Sequence, residues 1–234
     1  MSELPGYPSR RSILKGTAAG IALAASMPLP VVAQESPVPI QLSDYKPVFF
    51  NAEEWAFILA ATARLIPSEG KGPGAIECRV PVFIDRQLND YYGRGDIWYM
   101  DGPHDAKAGA DRGWQTPLNP AQLYREGIVA FNAACELKYG KAFVVLDPAD
   151  QDSALNALQK GEIKLQAELS LFFTTLLANT KEGYFADPIH GGNYGMQSWV
   201  YIGFPGARAA FKEWPTRHDI KYPLGPVSIS GERA

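Results

Sequence analysis

Between positions 163 and 181 the chain packs Leu169, Phe172, Phe173, Leu176 and Leu177 into a helix-like run too apolar for a surface element. A helix of that kind has to be enclosed by others, so it is read as the central core helix of a mainly α fold. The surrounding sequence supplies the enclosure. Asn51 followed by Glu54 is a capping box that starts a helix. Trp55, Ile58, Leu59, Thr62 and Ile66 recur on one side of it until Pro67 and a Gly-rich stretch end it. Phe50 is placed to staple onto Trp55. A second helix is predicted over 80–91, with Pro81 near its start and Val82, Ile84, Leu88 and Tyr91 facing inward. Asn119-Pro120 with Gln122 opens a third, which carries Leu123, Ile128, Phe131, Ala134 and Cys135 and ends at Gly140. Asp147-Pro148 opens a fourth, with Leu155 and Leu158 inward. Repeats and βαβ alternation are absent, and the short runs 143–145 and 200–202 do not decide between strand and helix.

The loops carry as much information as the helices. Residues 93–117 show no sustained period, yet they contain Trp98, Tyr99 and Trp114. A stretch so long and so aromatic reads as an ordered loop laid over the domain or onto a partner. The core helix runs into a second such region, 171–208, where Tyr184, Phe185, Asn193, Tyr194 and Trp199 alternate with turn residues. Rigid rings bury area at little entropic cost and glycine lets backbone come close, so these eight residues are the candidate interface. The same residues can instead complete the monomer core, and the Gly191-Gly192 pair can admit either a partner or the domain's own helix.

Ser9-Arg10-Arg11 precedes a modest Ala-rich run, with a small-x-small cleavage position at Val31-Val32-Ala33. That pattern looks like a twin-arginine export signal over 1–33, followed by a Pro-rich linker over 34–48. The run is shorter than the roughly 20 apolar residues of a spanning helix; the other reading is an uncleaved anchor. The body is then 49–214, with an extended, Pro-containing tail over 215–234 that can lie across a neighbouring subunit. Losing 1–33 removes three positive charges and one negative, moving the formal net charge from -3 to -5. A mildly acidic body without a basic stripe argues against nucleic acid.

Independent catalysis finds little support. His104, His190 and His218 are the only histidines and have no metal-ligand spacing. The Asp101…His104 and Asp187…His190 pieces read more simply as turns than as acid-base pairs. Gly191-Gly192-Asn193 lacks the strand-to-helix setting of a dinucleotide fingerprint, and Ser198 lacks a nucleophile elbow. No catalytic, cofactor-binding or metal-binding residue is therefore assigned. Cys78 and Cys135, the two cysteines, either pair in an oxidising compartment or fill the core as small apolar residues.

Several ordered motifs together carry a family resemblance. They are PVFIDRQL at 81–88, DGPH at 101–104, Pro117-Leu118 followed by Leu123-Tyr124-Arg125, NTKEGYFADPIHGGN at 179–193, and Trp199 with Ile202-Gly203-Phe204-Pro205-Gly206-Ala207-Arg208. With the export signal, they resemble the gluconate 2-dehydrogenase subunit 3 family over about 49–214. The resemblance implies a small gamma-type subunit with no cofactor of its own. Its implied partners are a large FAD-bearing dehydrogenase and a membrane-associated multihaem cytochrome c. The implied setting is the periplasm, at the inner membrane, where gluconate is oxidised to 2-ketogluconate and electrons pass through FAD and haem to quinone. The small subunit would stabilise the flavoprotein and help its export through the twin-arginine machinery. Alternatives are a small subunit or assembly factor of a related sugar, polyol or 2-ketogluconate dehydrogenase, or an independent hydrolase or isomerase.

Overall fold

In the computed structural model, residues 42–105, 107–212, 214–218 and 223–234 are described, and they fall within one compact unit. The export signal, its cleavage position and the linker up to 41 lie outside the described residues. Seven α-helices organise the rest: α1 (Ala52–Leu65), α2 (Val80–Asn89), α3 (Tyr91–Arg94), α4 (Pro120–Tyr139), α5 (Pro148–Gln159), α6 (Phe172–Phe185) and α7 (Gln197–Ile202). The described residues hold only isolated β-bridges and no strand, and no described helix is long and apolar enough to cross a membrane.

Local chemistry sets the helix starts. Asn51 and Glu54 form the expected capping box of α1, Asn119 and Gln122 that of α4, and Asp147 caps α5. The buried face of α1 is rotated from expectation: Phe57, Ile58, Ala61 and Thr62 are enclosed, while Trp55 is half-buried against Tyr45 and Phe50 packs on Tyr124. The helix predicted over 80–91 breaks at Asp90, which starts α3, and Tyr91 turns out to solvent. The core helix starts at Phe172 rather than 163. The Thr116 hydroxyl donates to the Glu168 carbonyl at 2.7 Å, occupying an acceptor that a continuous helix would offer to the amide of residue 172.

The core centres on Phe57, Phe131, Phe143 and Phe172, contributed by α1, α4, the 143–145 turn and α6, with ring centroids 5.2 to 6.2 Å apart. The Phe172 ring lies so close to α4 that a Cβ on Gly127 would come within 2.3 Å of it. Gly127 thus sets the distance between α4 and α6. Cys135 and Cys78 stand in the core as buried free thiols. Burial pushes the Cys78 thiol up to about 12 and that of Cys135 up to about 11.

Asp85 on α2 is fully buried. Its carboxylate accepts from the Tyr45 hydroxyl at 2.7 Å and from the backbone N–H groups of Val48, Phe49 and Phe50 at 2.8, 3.0 and 3.0 Å. One side chain thereby fixes the segment leading into α1. Burial, and after it the bond to Asp85, raises the Tyr45 phenol well above its ordinary value. Arg125 adds a second tie: its guanidinium reaches Glu54 of the α1 capping box at 2.7 Å and the Phe49 carbonyl at 2.9 Å.

Candidate interaction site

Beyond α6 the chain turns back over the helix it has just left. Asp187 caps the turn Pro188–His190 through Ile189 N–H, and its other oxygen accepts from Ile229 N–H of the carboxyl tail at 2.7 Å. Gly192 presses against α6, where a Cβ would lie 2.2 Å from the Gly183 carbonyl oxygen, so the glycine pair admits the domain's own helix. Asn193 is fully buried with a positive φ of 43°. Its Oδ1 accepts from Ser198 N–H and Oγ–H, while its Nδ2 donates to the Ala186 carbonyl. That bonding aims α7. The Trp199 indole N–H then donates to the Phe185 carbonyl at 2.8 Å, and its ring meets Phe204 edge to face.

The tail closes the frame. Ala207 N–H donates to the Val227 carbonyl at 2.7 Å and Val227 N–H to the Pro205 carbonyl at 3.2 Å. Residues 227–234 therefore clasp this chain's own 205–207 and 187–189 turns.

The eight candidate interface residues separate by environment. Tyr184, Asn193 and Trp199 are consumed inside the chain, Tyr184 by a bond from its hydroxyl to the Pro73 carbonyl. A buried, bonded side chain is not offered to a partner, so these three build the frame rather than the surface. Tyr194 is half-buried beneath the Arg79 guanidinium, 3.5 Å from the ring centroid. Trp98 and Trp114 stack on each other at 4.6 Å, Trp98 also meets Tyr92, and the Trp114 N–H donates to the Leu118 carbonyl. Within the 93–117 segment an open cleft of about 790 Å³ is lined by these indoles, Tyr99, Asp101, His104 and Arg112. Tyr99 and Phe185 stand exposed at 80% and 47%.

Outside the eight lies a further set of exposed apolar residues that the sequence reading did not single out. Val200, Tyr201, Ile202 and Phe204 are 45 to 57% exposed, beside the exposed Phe185. Ile189 and Ile229, also in solvent, flank the Asp187 carboxylate that ties their turns together. Successive residues on a helix point about 100° apart. With Ser198 and Trp199 buried, Val200 and Tyr201 are carried out into solvent, while Ile202, which points between the two buried residues, is exposed at the end of the helix.

Among the described residues no three His, Cys, Asp or Glu side chains gather as a metal site. His190 and His218 are exposed, and His104 is half-buried in the cleft. Large apolar side chains held in solvent on a hydrogen-bonded frame are what an interaction surface offers. The chain belongs to the gluconate 2-dehydrogenase subunit 3 family, whose model matches residues 52–206. It is thus a subunit of a gluconate 2-dehydrogenase type of complex. No curated protein and no solved structure matches the chain.

Proposed function

We propose that this chain is the small, non-catalytic subunit of a periplasmic complex that oxidises gluconate to 2-ketogluconate, and that it stabilises the FAD-bearing dehydrogenase subunit. The observation that carries this reading is the α7 surface. Val200, Tyr201, Ile202 and Phe204 stand in solvent on a backbone fixed by Asn193, Asp187 and the tail. Large apolar residues held in place bind at low entropic cost, because the ordering is complete before the partner arrives. Family membership supports the assembly. In this reading, FAD and haem c sit in the partner chains, and a multihaem cytochrome c holds the assembly at the inner membrane. The 1–33 segment directs export by the twin-arginine machinery. The Tyr99 and Trp98 cleft serves as a second contact.

The test is affinity purification of the chain from the native envelope, followed by visible spectroscopy and a substrate panel. Co-purifying flavoprotein and c-type haem with gluconate-dependent quinone reduction supports the reading. Reduction with a polyol or 2-ketogluconate alone reassigns the substrate, and a colourless chain recovered by itself refutes the stable complex.

A further inference from the structure

A groove of about 630 Å³ lies beside α4. Its apolar lining is Leu118, Val129, Ala130, Ala133 and Leu169, and its polar lining Arg125, Glu126, Gln166 and Glu168. Arg125 is already engaged. Its guanidinium pairs with Glu54 at 2.7 Å, donates to the Phe49 carbonyl at 2.9 Å and lies 4.4 Å from the centroid of the Phe49 ring. The segment that leads into α1 is therefore tied to a residue of the groove itself. Tyr45, further back in that segment, rests on Trp55, the chain neighbour of Glu54.

Just ahead of the first described residue, Leu42, the sequence reads Ser36-Pro37-Val38-Pro39-Ile40-Gln41. Residues 36–43 carry no charge, so this stretch sets none against Glu126 and Glu168. Val38 and Ile40 are two positions apart, which puts both side chains on one side of an extended backbone. Pro37 and Pro39 favour that backbone before any contact forms, which lowers the cost of ordering it. They also bring no N–H, and so leave no donor unpaired in an apolar groove. From Tyr45 back to Ile40 the chain can span up to about 17 Å, and Arg125 to Ala133 covers about 12 Å of α4. So short a tether keeps the stretch near the groove at roughly millimolar effective concentration, where a modest apolar contact suffices. We propose that the occupant of the α4 groove is residues 37–40 of the same chain, with Val38 and Ile40 against Ala130, Ala133 and Leu169. The strap tied down by Asp85 and Arg125 then continues onto α4, and whatever precedes Ser36 is held at the folded body.

The experiment uses the purified full chain without partner subunits. Val38→Cys is combined in turn with Ala133→Cys and with Gln166→Cys in the groove, and with Lys71→Cys, exposed outside it. The native cysteines are buried and do not compete. Mild oxidation is followed by non-reducing electrophoresis and peptide mass spectrometry. A cross-link within one chain is expected at 133 or 166, forming about tenfold or more faster than the one to 71, because docking raises the local concentration above that of a free tether. Ala133→Arg fills the groove and is expected to slow the 38–166 cross-link to the rate of the 38–71 control, with circular dichroism checking that the helices persist. Equal rates to groove and control overturn the proposal, as does the absence of a cross-link at both groove positions. A cross-link formed only between chains overturns it too, by putting a second copy in the groove. So does an Ala133→Arg chain that keeps its cross-link but loses recovery of the flavoprotein in cells expressing all subunits, since the groove then serves a partner. No partner subunit enters the cross-linking, so its failure leaves the reading of the complex standing.

Discussion

Asp85 shows what a single residue contributes to this fold. It gathers one hydroxyl and three consecutive backbone N–H groups from a segment 35 to 40 positions earlier. Asp85→Ala is expected to lower unfolding free energy by about 3 kcal/mol or more, because several buried donors lose their acceptor at once; chemical denaturation measures it. Tyr124 is the opposite case. Its hydroxyl is buried and falls short of a well-formed hydrogen bond, with Asn179, whose Nδ2 is likewise unsatisfied, as its polar neighbour, so Tyr124→Phe is expected to leave stability within about 1 kcal/mol of the parent. The thiols give a pH prediction. Burial raises Cys78 and Cys135 above their ordinary value, to about 12 and about 11. The unfolded chain loses those protons first, so it binds fewer than the native state once pH passes the unfolded value of about 8.5. Stability is then full below that value and falls as pH rises toward 11 and 12. Denaturation midpoints at pH 7, 9 and 10.5 read this out, and a flat or rising series contradicts it. Thiol titration at pH 8 is expected to find both cysteines unreactive until the chain is unfolded.

At the scale of elements, α7 divides into a buried half and an exposed half with separable consequences. Trp199→Ala is expected to cost about 3 to 5 kcal/mol, the range of large core truncations, and its effect on assembly follows from a damaged frame. Val200→Asp with Ile202→Asp is expected to leave the melting temperature nearly unchanged while abolishing recovery of partner subunits. The contrast also explains what the sequence could convey. Helix starts were legible because Asn51 with Glu54, Asn119 with Gln122, and Asp147 with Pro148 act within four residues. The start of α6 was not, since the donor that takes the Glu168 carbonyl is Thr116, 52 positions away. The 171–208 region stood out for its aromatics and glycines, but which of its residues face solvent was not legible. Whether Trp199 or Tyr201 faces solvent depends on where Asn193 aims the helix, and that is decided by Ala186 and Ser198 in three dimensions. The role of Asp85 was not legible either, because its partners, Tyr45 and the backbone of residues 48–50, are distant in sequence.

For the whole molecule, the described domain presents apolar surface on α7, along α4 and at the Trp98–Trp114 cleft, around a core of phenylalanines whose spacing Gly127 sets. Gly127→Ala is expected to destabilise by about 1 to 3 kcal/mol through the forced shift of Phe172, and to lower complex yield only in proportion to the loss of folded subunit. In the proposed reading the chain acts by being bound, so its function is read in what accompanies it. The direct measurement is recovery of the flavoprotein with tagged parent and with the Val200→Asp, Ile202→Asp variant, from cells expressing all subunits. The account predicts flavin, haem and gluconate-dependent quinone reduction with the parent, and a folded, colourless chain with the variant. Equal recovery of the flavoprotein with both would contradict the claim that the α7 face holds the complex together.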